Sequence, residues 1–105
     1  MKKHPTRKCP TAFPEMWARV RGNAAREGLY ILIEPWNGKW GTGPRSERWV
    51  FFSARSGQSV LDFFPLTSRW VGRRGVQDHG AVKSVWQAMR MAVIRAQASE
   101  KVHSW

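Results

Sequence analysis

Along residues 82–99 the apolar side chains Val82, Val85, Trp86, Met89, Val93 and Ala96 recur with the period of a helix and form one stripe. Lys83, Gln87, Arg90 and Gln97 fall away from that stripe, so the spacing predicts an amphipathic C-terminal helix. Upstream the period changes. Residues 29–36, 48–54, 59–64 and 69–73 are short runs rich in β-branched and aromatic side chains, which read as strands. Turn signals separate them: Asn37-Gly38, Ser56-Gly57 and residues 65–68, which start at Pro65. Residues 41–45 and 74–80 read as loops. An earlier helix is predicted over residues 14–27. Pro14 suits a first turn, Glu15 complements the positive helix end, and Trp17, Val20 and Ala24 share a face before Gly28. Gly22 and Asn23 weaken its middle.

The order helix, strands, helix predicts an α+β fold: an antiparallel sheet of three to five strands packed on a C-terminal helix, with a short N-terminal helix. One domain is expected over residues 13–99, between a disordered basic arm (1–12) and a frayed tail (100–105).

The hairpin turns imply registers. The first sets Phe52 opposite Leu61 and Val50 opposite Phe63; the second sets Phe63 opposite Trp70. Because side chains alternate along a strand, Val50, Phe52, Leu61, Phe63 and Trp70 then share a face free of charge, the expected seat of the C-terminal stripe. The other face carries Trp49, Phe51, Ser53, Val60, Asp62, Phe64, Arg69, Val71 and Arg73. Three arrangements of that face are open: exposed to a ligand, covered by the first helix through Phe13, Trp17 and Val20, or paired with a second copy. A one-residue slip would exchange the faces.

Charge gives this face a meaning. Eighteen Lys and Arg stand against seven Asp and Glu, a net charge of +11, and twelve of the cations are Arg. Seven Trp accompany them. Such a field attracts polyanions, Arg presents a fork that fits phosphate, and bases stack on exposed rings for ~1–3 kcal/mol each. The expected partner is therefore nucleic acid, DNA ahead of RNA. Trp49, Phe51 and Phe64 would offer the rings, with Arg69, Arg73 and Arg74 at the phosphates. Lys39 and Arg48 would add charge near the Trp36–Trp40 turn, and Lys2, Lys3, Arg7 and Lys8 would supply an arm along the backbone. The same charge suits a basic adaptor docking on an acidic protein surface.

Other chemistry finds less support. The seven carboxylates show no metal-nuclease spacing, although Asp62 on the proposed face and Asp78-His79 keep a metal-dependent nuclease as a third reading. His4, Cys9, His79 and His103 are too scattered for zinc, and no nucleotide fingerprint occurs. The expectation is a binding protein without catalysis or cofactor. A lone cysteine, Cys9, fits a reducing compartment. No stretch approaches the ~20 apolar residues of a membrane span, and a cytoplasmic protein is expected, with association with the nucleoid left open.

Residues 59–70, SVLDFFPLTSRW, resemble a hairpin of small uncharacterised phage and mobile-element proteins: an apolar strand, an acid, two aromatics, Pro, Thr and a basic-Trp pair, then a Gly-rich stretch and a helix. The likeness covers residues 59–91. Ser68 stands where those proteins often carry glycine. The resemblance implies a genomic setting and assigns no activity.

Overall fold

The structure, a computed structural model, describes residues 9–38, 46–73 and 79–103, the side chains of 99–103 excepted. A 3-10 turn, Pro14–Met16, carries Pro14 in its first turn and leads into α1, Trp17–Arg26. Gly28, at φ 76, reverses the chain into the sheet. The strands are β1 (Leu29–Pro35), β2 (Glu47–Ser53), β3 (Ser59–Phe64), β4 (Arg69–Gly72) and β5 (His79–Ala81), and α2 spans Val85–His103. Every neighbouring pair is antiparallel and the spatial order is the chain order, so the sheet is a five-stranded meander. The fold is α+β.

Strand β5 falls partly in residues 74–80, which read as a loop because Asp78-His79-Gly80 has no strand pattern. Gly80 explains the pairing: a Cβ there would stand 3.0 Å from the Trp70 indole nitrogen, so glycine lets β5 close over that ring. The helix α2 begins later than the apolar stripe. The Gln87 N–H donates to Ser84 Oγ at 3.3 Å, and Gln87 Oε1 accepts from the Lys83 N–H at 2.7 Å, a reciprocal cap that fixes the start at Val85. Val82 lies before the helix yet stays buried in the core.

Both helices pack on one face of the sheet. Trp17, Val20 and Ala24 of α1 join Val85, Ala88, Met89, Ala92 and Ala96 of α2 in a single core. That core is completed by Leu29, Ile31, Ile33, Trp49, Phe51, Leu61, Phe63 and Trp70 from the sheet.

This overturns the expected faces of β2. Phe51 pairs with Leu61 and Trp49 with Phe63, one residue from the register implied by the turn. Beside the turn the register differs by two residues, Phe52 meeting Ser59 instead of Leu61, which keeps the faces; a bulge then takes one residue back and exchanges them. Phe52 pairs with Ser59 while Phe51 pairs with Leu61, which leaves Val60 as an extra residue on β3. Val60 and Leu61 are both in the core. The Val60 carbonyl accepts from the Arg73 N–H at 3.0 Å and from Arg95 Nε of α2 at 3.2 Å, so the irregularity is hydrogen-bonded rather than loose. Trp49 and Phe51 therefore face the helices, with Ser53 buried beside them, and Val50 and Phe52 face away. The second hairpin has no bulge, and its Phe63–Trp70 register is as expected.

At the turn between β3 and β4, Ser68 adopts φ 54, a left-handed conformation that favours glycine. Its carbonyl accepts from the Val82 N–H at 2.9 Å.

Candidate nucleic-acid interface

The face that α1 and α2 leave uncovered is built from alternate residues. Tyr30, Leu32 and Glu34 come from β1, Arg48, Val50 and Phe52 from β2, Asp62 and Phe64 from β3, and Arg69 and Val71 from β4. At one corner Tyr30 and Phe52 are cross-strand partners. Their rings stack at 4.9 Å between centroids and 3° between planes. Tyr30 and Leu32 are each 39% exposed, more than a core position allows.

An ion chain crosses the middle. Arg48 donates through Nε to Glu34 Oε1 at 2.6 Å, with Nη2 on the same oxygen, and its Nη1 lies 3.7 Å from Asp62 Oδ2. Arg73, just beyond β4, reaches the same Oδ2 through Nε at 3.3 Å. Asp62 is almost fully buried, and its Oδ1 has no hydrogen-bond partner among the described residues. Burial pushes its carboxyl above the usual carboxylate range; Arg73 and then Arg48 oppose that push without cancelling it, and Glu34 adds to it. The carboxylate thus holds Arg73 in place at a desolvation cost.

The upper end of the face is aromatic. The Arg48 guanidinium lies 4.5 Å from the centre of the Trp36 ring, and Trp36 packs on Phe64 at 5.7 Å. Arg69, opposite Phe64, is exposed.

The N-terminal segment is fastened on the helix side at this end. Glu47, fully buried, accepts from the Thr11 N–H at 2.7 Å through Oε2, and from the Ala12 N–H and Trp49 Nε1 at 3.2 Å through Oε1. These donors offset the cost of burying a carboxylate.

The structure sorts the residues expected at the interface. Arg48, Phe64, Arg69 and Arg73 lie on the open face, with Asp62 among them. Phe64 is nonetheless buried, because Trp36 packs against it. Trp49 and Phe51 do not belong there: both are 0% exposed, and Trp49 meets Trp17 of α1 edge-on at 5.5 Å. Phe13, expected to help α1 cover the sheet, is partly exposed and outside the core. Lys2, Lys3, Arg7, Lys8, Lys39 and Arg74 lie outside the described residues.

Sequence reasoning missed Tyr30, Leu32 and Phe52. The signal that could have found them is the opposite charge of Glu34 and Arg48, a cross-strand pair that fixes the register of β1 on β2. Once Arg48 shares a face with Asp62, alternation carries Val50 and Phe52 to that face and Trp49 and Phe51 away from it.

Among the described residues no three His, Cys, Asp or Glu side chains converge as a metal site would need, and no described helix is long and apolar enough to cross a membrane. Comparison with protein-family models, curated proteins and solved structures finds no match for this chain.

Proposed function

We propose that this protein is a non-enzymatic nucleic-acid-binding module that uses the uncovered sheet face. The observation that carries the reading is Arg73. Held to the buried Asp62 through Nε, it is 44% exposed and can turn its two Nη groups outward, the fork that phosphate accepts. Arg69 adds a second exposed guanidinium on the same face. The Tyr30–Phe52 stack offers a ring on which an unpaired base can lie, in place of Trp49 and Phe51. The net charge of +11 supplies long-range attraction.

The test is fluorescence anisotropy with labelled single-stranded DNA, duplex DNA and single-stranded RNA of matched length, at low and physiological salt. Affinity should fall steeply with salt as phosphates release counterions. Arg69→Gln should weaken every probe and lower the salt slope by about one. Tyr30→Ala should weaken the single strands by about 5- to 150-fold, the equivalent of ~1–3 kcal/mol of stacking, and the duplex far less. Binding that disappears at physiological salt, or survives both substitutions unchanged, would remove the sheet face from consideration.

A further inference from the structure

The helical layer carries a second surface, away from the sheet's open face. Where α1 and α2 lie side by side, a groove of ≈ 280 Å³ runs past Asn23 of α1 and Glu27 at its C-terminal end, and past Trp86, Met89, Arg90, Val93 and Ile94 of α2. It is open to solvent along its length, with Arg90 and Ile94 exposed at its edge, so it suits side chains presented by a larger body. Its lining is apolar along α2: Trp86 and Val93 are half-buried, and Ile94 is 59% exposed, the most exposed large apolar side chain among those described.

Its rim is cationic. Arg19 of α1 stands 5.7 Å from the centre of the Trp86 ring, Arg26 donates to Asn23 Oδ1 at 3.0 Å, and Arg90 lines the groove from α2. All three arginines are exposed, and among the described residues Glu27 is the one acid in the lining. An aliphatic strip between arginines calls for aliphatic anchors flanked by carboxylates. A second copy would bring arginine to arginine under a net charge of +11 each. A nucleic acid would match the rim but leave Ile94 and Val93 without an apolar partner.

We propose that the α1–α2 groove docks an acidic amphipathic helix of a partner protein, whose aliphatic side chains at i, i+3 or i+4 and i+7 lie against Trp86, Val93 and Ile94. The flanking carboxylates pair with Arg19, Arg26 and Arg90. This site is separate from the sheet face, and its test is independent of that reading.

The probe is a synthetic helical peptide with Leu at i, i+4 and i+7 and Glu on the flanks, beside a scrambled peptide of the same composition. Binding is followed by amide chemical shifts of the full-length protein and by anisotropy. The expected result is a set of shifts confined to α1 and α2, with the patterned peptide at least tenfold tighter than the scrambled one. Ile94→Glu and Arg90→Glu, both exposed, should each weaken the patterned peptide tenfold or more and keep the native fold by circular dichroism. Equal affinity for the two peptides would reduce the groove to generic charge and overturn the proposal. So would an absence of shifts at α1 and α2 up to millimolar peptide. Shifts at these helices with a single-stranded oligonucleotide, displaced by the peptide, would mean that the groove takes phosphate and would also overturn it.

Discussion

On one side of the sheet, Trp49, Phe51, Leu61 and Phe63 are sealed beneath two helices. On the other, Tyr30 and Leu32 meet water beside an ion chain that runs from Glu34 through Arg48 and Asp62 to Arg73. The first side is held by apolar burial, which is non-directional and large. The second is held by oriented pairs with a modest net contribution, because each charge loses water to make them. Consecutive residues of β2 fall under the two regimes. Side chains that determine stability and side chains available to a ligand are thus one peptide unit apart.

The sharpest way to break that contrast is to truncate two neighbours. Phe51→Ala should cost about 3–5 kcal/mol, as buried Phe truncations do. Phe52→Ala, partly exposed, should cost about 1 kcal/mol. Urea denaturation of both variants reads the difference, and equal losses would mean that the faces are not distinct.

The ion chain gives a second contrast, in pH. The carboxyl of Asp62 titrates higher in the native state than in the unfolded chain. Between the two pKa values the native state binds the extra proton, so stability should fall as pH rises from the ordinary carboxylate range through the raised native one. The native-minus-Asp62→Asn difference in unfolding free energy should carry that slope, at most about 1.4 kcal/mol per pH unit for one proton. A flat difference across pH 4–7 would show that the two arginines offset the burial.

The smallest effect belongs to the turn. Left-handed Ser68 costs ~1–3 kcal/mol, and glycine returns ~0.5–1 kcal/mol as extra freedom of the unfolded chain. Ser68→Gly should therefore stabilise by about 1 kcal/mol and raise the melting temperature, with the nucleic-acid affinity unchanged.

Much of the fold was legible because its signals are local. The α2 stripe, the β3–β4 hairpin around Pro65, and Pro14 at the first turn needed only residues within a few positions of one another. Two features were not local. β5 depends on Gly80 meeting Trp70, which no spacing in the sequence reveals. The face of β2 depends on Val60, an apolar residue in an apolar strand, where nothing marks a bulge. That single unmarked residue moved Trp49 and Phe51 from the expected interface into the core, while Asp62, Arg69 and Arg73, beyond the bulge, kept their places.

The bulge also sets how the chain tolerates changes of length. Ser59 and Leu61 already face the adjacent partners Phe52 and Phe51. A chain lacking Val60 could therefore pair these strands as a regular ladder, losing one buried valine and leaving every other side chain on its present side. The same deletion two residues later, inside the regular β3–β4 ladder, would carry the rest of β3 to the wrong side. In a lineage that gains and loses single codons, Val60 marks a position in the sheet where such an event leaves inside and outside as they are.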